Sequence, residues 1–186
     1  MNLLAKSAVA AAAFVALSAH AFPIAAPGTE GFSVIVSGTS DVVATYEGNS
    51  AAYSNDLYLV NTGQFVFNNH ASAVGSTVNL GSFTAGTELL FKLHVNNTGF
   101  DYFTGPALRN PDGHSHARVQ GSWAPGTTLV SFEDLFNGPF DYNDLSFSFT
   151  NTGSSPTVPG VPEPETYALM LVGLGGVAML ARRRKR

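Results

Sequence analysis

Four carboxylates fall within twelve residues: Glu133, Asp134, Asp141 and Asp144, with Asn137 and Asn143 among them. Carboxylates crowded in this way repel one another unless a cation joins them. Hard oxygen ligands at this density suit Ca²⁺, which takes about six to eight oxygens in irregular geometry. The candidate ligands are Glu133, Asp134, Asp141, Asn143 and Asp144. The spacing is not that of an EF-hand loop. The plainer reading is that Asp141 and Asn143 shape turns and Glu133 is solvated. Upstream, "RNPDGHSHARV" carries Asp112, His114 and His116. Two histidines two apart face the same side of a strand, and with a carboxylate they could hold zinc. But Asn-Pro-Asp-Gly is first of all a turn sequence. Asp112, and with it His116, could instead join the acidic cluster from a neighbouring loop.

Enzyme signatures are missing. The chain has no G-x-S-x-G, no H-E-x-x-H and no G-x-x-x-x-G-K. Paired acids such as Glu133 and Asp144 could cleave a glycosidic bond, which makes a glycoside hydrolase the alternative to a non-enzymatic protein. Trp123, Tyr102, Phe103 and Tyr142 could form a small sugar-stacking face or simply pack in the core.

The elements that must position these groups read as strands. In "FKLHV", Phe91, Leu93 and Val95 share one face, with Lys92 and His94 on the other. In "LSFSF", Leu145, Phe147 and Phe149 alternate with Ser146 and Ser148, as in a half-buried strand. Similar runs cover 32–36, 42–46, 56–60, 64–67, 77–83, 116–120 and 127–132. Asn-Thr-Gly follows an alternating run at Asn61, Asn97 and Asn151 and marks a turn each time. The expected body, residues 22–150, is all-β: a sandwich or jelly roll of about nine to ten short strands. The acidic stretch then connects two of them.

The totals agree. There are 19 glycines, 14 phenylalanines and no cysteine, and charged residues make up 12%. The body is therefore held by packing or by bound ions, not by disulfides. Between the two ends lie three basic residues and eleven acids, a net −8 inside a chain whose formal charge is −4. Such a body is a poor partner for nucleic acid.

The ends read as addresses. Residues 1–21 have a basic Lys6, an apolar run and the small-x-small site Ala19-His20-Ala21, which together form a secretory signal helix handled by the Sec translocon and signal peptidase. Residues 151–160 are small, polar and proline-bearing, as in a flexible linker. Residues 161–186 open on Val161-Pro162-Glu163-Pro164, continue as an uncharged run at 167–181, and close on Arg182, Arg183, Arg184, Lys185 and Arg186. The run reads as a single membrane-anchor helix, and the basic tail as its stop-transfer element on the cytoplasmic side.

This ending resembles the PEP-CTERM sorting signal. That resemblance implies recognition by an exosortase, a membrane protease-transpeptidase that cuts at or near Pro-Glu-Pro. The block "FEDL" followed by "DYNDLSF" resembles the end of the extracellular domain of unknown function 4114. The acid pairs of that family look like a calcium site, carried here by Glu133, Asp134, Asp141, Asn143 and Asp144. The expectation is an exported protein, held briefly in the inner membrane and then sorted to the cell surface or an extracellular matrix. There its calcium-stabilised body would be structural or adhesive, with extracellular polysaccharide as a partner.

Overall fold

The computed structural model describes residues 21–156. They form twelve strands: β1 Phe32–Val36, β2 Asp41–Asn49, β3 Asn55–Leu59, β4 Gln64–Asn68, β5 Thr77–Ser82, β6 Glu88–Leu89, β7 Phe91–Val95, β8 Asp101–Phe103, β9 Ala117–Ala124, β10 Thr127–Phe132, β11 Leu145–Thr150 and β12 Thr152–Pro156. The one helical element among the described residues is a 3₁₀ turn, Ala107–Arg109. The nine expected runs are all strands; β6, β8 and β12 are additional. Two and three residues are too few for β6 and β8 to show a period.

Every strand pairing is antiparallel. A five-stranded sheet has the order β5-β2-β11-β10-β9, a four-stranded sheet β4-β3-β7-β8, and a three-stranded sheet β12-β1-β6. Only Leu90 separates β6 from β7, so the two smaller sheets share one nearly continuous strand. β3 lies along one edge of that strand, and β8 and then β1 lie along the other.

The five-stranded sheet packs on this composite layer. Along β2 the burial alternates, so Val42, Ala44 and Tyr46 point inward; β7 alternates in the same way through Phe91, Leu93 and Val95. Phe91 stacks on Phe149 with centroids 4.1 Å apart, and Phe67 stacks on Phe147 at 5.9 Å. These contacts join opposite layers.

Strand β11 departs from the half-buried expectation, because Ser146 and Ser148 are buried as well. The reason is the segment before β1, which lies over the outer face of the five-stranded sheet. The Ala25 N–H donates to Ser131 Oγ at 2.8 Å, and Ser131 Oγ meets Ser146 Oγ at 2.8 Å. Phe22 sits where a Cβ on Gly48 would lie, 2.6 Å from its own Cβ. Small residues on that face make room for the overlying chain.

The expected linker at 151–160 is corrected in its first half: residues 152–156 form β12, paired with β1 from Val36↔Thr152 to Phe32↔Pro156. Asn151 alone separates β11 from β12. It adopts φ 55°, the left-handed region, and its side-chain amide donates to Gly38 O at 3.0 Å and Ser40 O at 2.6 Å. One residue thus turns the strand out of one layer and into the other, as corners of sandwiches require. The expected signal helix (1–20 of it), the anchor run 167–181 and the basic tail 182–186 lie outside the described residues. Among the described residues no helix is long and apolar enough to cross a membrane.

Asn151→Ala places a Cβ in the left-handed region and removes both amide bonds. It should cost about 2–3 kcal/mol. Asn151→Gly keeps the backbone freedom and should cost less. Chemical denaturation of the two variants checks the order; equal losses would mean that the left-handed turn contributes nothing.

Candidate metal centre

The pairing of β10 with β11 builds the site. Phe132 pairs with Leu145 as the last rung of that ladder. The next residues, Glu133 on one side and Asp144 on the other, are therefore brought face to face. Carboxylate oxygens of Glu133, Asp134 and Asp144 all lie within 4.8 Å of one another. Glu133 and Asp134 are buried, at 1% and 3% exposure. The chain folds back so closely here that a Cβ on Gly138 would come within 2.6 Å of Glu133 Oε1.

Hydrogen bonds reach all three carboxylates, the Leu135 N–H donating to Glu133 Oε1 at 3.3 Å. The Asp134 N–H donates to Asp144 Oδ2 at 2.8 Å. Asn55, at the start of β3 in the opposite layer, donates from Nδ2 to Asp134 Oδ2 at 2.8 Å. The backbone of Asp144 is held in turn, its carbonyl accepting from the N–H groups of Ser50 and Ala51 at 3.0 and 3.3 Å. Several buried polar atoms around the cluster have no partner: Glu133 Oε2, Asn55 Oδ1 and the Tyr102 hydroxyl. An unpaired buried polar atom is costly, and three of them surround this one cluster.

Electrostatics express the same crowding. Burial pushes the Asp134 and Asp144 carboxyls up to about 6 from 3.8, and each is raised further by the other carboxylates. Burial raises Glu133 as well, with Asp141 and Asp134 adding to it. The Tyr102 hydroxyl is raised by burial and by the charges of Asp112, Asp134 and Glu133.

The other expected ligands are not among these three. Asp141 is exposed, and its Oδ2 accepts from Asn143 Nδ2 at 2.6 Å, so these two residues tie to each other. Asp112 and His116 form a separate buried pair, Nε2 to Oδ2 at 2.8 Å, and Nδ1 of His116 reaches Glu133 O at 2.9 Å. Both ring nitrogens are thus engaged, and neither is left for a metal. The Asp112 carboxyl is brought down to about 2, because burial is outweighed by hydrogen bonds from Asn137 N–H, His116 and His114 N–H. His114 is exposed while His116 is buried with both nitrogens taken, so the zinc arrangement is not formed. The expected four-aromatic sugar face is absent too: Tyr102 and Tyr142 are buried, and Tyr142 donates to Ser115 O at 2.8 Å.

Asn55 is the residue that sequence reasoning missed. Its signal was there: in "NDLYL" it shares the inward face with Leu57 and Leu59, a polar side chain on an apolar face.

The raised carboxyls give a pH dependence with a definite sign. Asp134 and Asp144 bind protons more tightly folded than unfolded, so their contribution is present at low pH and lost as pH rises from 3.8 through about 6. In chelator, the melting temperature should fall over that window. Asp144→Asn, which carries no charge to desolvate, should flatten the fall. A melting temperature that rises through the window in both proteins would contradict the assigned burial.

Residues 160–185 match the PEP-CTERM protein-sorting motif. No curated protein and no solved structure matches the chain. The likeness of the body to domain of unknown function 4114 has no support among these findings. The described residues are all-β, and the chain carries a PEP-CTERM sorting motif, which implies export, exosortase processing and sorting to the cell surface or the space outside the cell.

Proposed function

We propose that this is an exported surface or matrix protein whose β body is structural or adhesive and is stabilised by Ca²⁺ at Glu133, Asp134 and Asp144. Sec and signal peptidase deliver it, with cleavage after Ala21. Residues 167–181 hold it briefly in the inner membrane, Arg182–Arg186 stay in the cytoplasm, and an exosortase processes Val161–Pro164. Extracellular polysaccharide is its partner.

The observation that carries the calcium reading is the trio of buried Glu133 and Asp134 with half-buried Asp144, beside which lie the unpartnered Glu133 Oε2 and Asn55 Oδ1. Three carboxylates, amide oxygen and water suit a flexible oxygen shell. The same geometry favours a structural role over glycoside hydrolysis. Flanking carboxyls in glycosidases must both face an open substrate, whereas Glu133 is 1% exposed.

An ion bound only by the native state stabilises it by RT ln(1 + [L]/Kd), about 2.7 kcal/mol at a hundredfold excess over Kd. Millimolar Ca²⁺ should therefore raise the melting temperature by about 5–10 °C. Mg²⁺ should act weakly, since it demands near-octahedral geometry and keeps its waters. Asp134→Asn and Asp144→Asn should each abolish most of the response. Asp141→Ala, whose carboxylate is tied to Asn143, should leave most of it. Identical melts in chelator and in calcium would remove the metal from the assignment.

Sorting is tested separately. Deleting residues 161–186 should release the body without membrane retention, and neutralising Arg182–Arg186 should weaken retention with the fold intact. If the uncut chain is the sole mature form in cells that possess an exosortase, the processing step is refuted.

A further inference from the structure

The outer face of the four-stranded sheet carries two parallel rows of side chains. Across the strands in register run Phe65, Tyr58, Lys92 and Phe103, one from each of β4, β3, β7 and β8. Beside them runs a polar row, Asn68, Asp56, His94 and Asp101, again one per strand. A register shift in β4 makes this possible, because it turns both Phe65 and Asn68 outward while Val66 and Phe67 stay in the core. Neighbouring strands lie about 4.8 Å apart, so each row spans about 14 Å.

The side chains are held in place before any ligand arrives. Phe65 meets Tyr58 edge-on at 5.7 Å and is 50% exposed. Lys92 Nζ lies 5.0 Å from the centre of the Tyr58 ring and 3.4 Å from Asp101 Oδ2. His94 Nδ1 meets Asp101 Oδ1 at 2.7 Å, and Asn68 Nδ2 donates to Asp56 Oδ1 at 2.7 Å. Tyr58, Val60, Gly63, Lys92, Asp101 and Phe103 line a hollow of about 410 Å³ on this face.

We propose that this face binds a neutral, linear polysaccharide lying across the strands. Sugar rings present C–H faces that stack on aromatic rings, and hydroxyls along their edges that both donate and accept. The aromatic row meets the first need and the adjoining carboxylates, amide, imidazole and ammonium meet the second. Charge decides against other polymers with flat or stacking units. The face sets Asp56 and Asp101 against Lys92, on a body of net −8, so polyanions, nucleic acid included, are repelled. This assignment rests on the adhesive reading above and does not depend on calcium.

Affinity electrophoresis of the full chain in mild detergent tests it, with hydroxyethyl cellulose, galactomannan or alginate cast in the gel. At least one neutral polymer should retard the chain. Tyr58→Ala, Phe103→Ala and the half-exposed Phe65→Ala should each weaken retardation about tenfold, the scale of one aromatic contact, at unchanged melting temperature. Trp123→Ala, on the other sheet, should leave it unchanged. Retardation by a neutral polymer that all three face variants retain would refute this face and leave adhesion standing. Retardation by alginate alone would refute the neutral ligand. No retardation by any of the three polymers would overturn the face and the adhesive reading together, leaving the sorting and calcium assignments to their own tests.

Discussion

Phe91 lies against Phe149 at 4.1 Å, and around this contact the two layers meet. No disulfide reinforces them, since the chain has no cysteine. Tyr46, Phe67 and Phe147 extend the seam. A buried phenylalanine is worth about 3–5 kcal/mol against alanine, a large share of the stability of a domain this size. The seam also sets the distance between layers, and with it the reach from Asn55 on one to Asp134 on the other. The polar centre is therefore positioned by apolar packing.

That dependence explains why the carboxylates can be so crowded. The ladder between β10 and β11 places Glu133 opposite Asp144 whether or not the charges favour it. The connecting loop pays a visible backbone strain for its path: Asn137, Phe140 and Tyr142 all have φ between 52° and 57°. Such conformations persist only where surroundings over-determine them. Here the surroundings are the Asp112 carboxylate, which accepts from Asn137 N–H at 3.0 Å, and the stacking of Arg118 over Tyr142 at 4.2 Å.

Much of this was legible in the residues. Alternation located β7 and β2 because each has one wet and one dry face, and the acids were correctly set between two strands. What stayed hidden was non-local. Nothing in "LSFSF" shows that the segment around Ala25 will cover its serine face. Nothing in "NTGSSP" shows that a sheet edge on β1 awaits it, since small polar residues pair as readily as they dangle. The acid cluster was found as composition, but its membership was not. Register selected Glu133, Asp134 and Asp144, while Asp141 and Asn143 satisfied each other. The histidine pair failed because the strand begins at Ala117, so His114 and His116 never share a pleat.

The place of β12 has a consequence for time. Its partner β1 begins more than a hundred residues earlier, at Phe32. Contacts so distant in sequence are slow to form, because the loop between them must close before they repay it. A chain made from its amino end presents β1 early and β12 among the last of its described residues. Until β12 arrives, one edge of β1 has unpaired backbone groups and can pair with a stranger. The three-stranded sheet is thus complete only when the last strand of the described residues is in place.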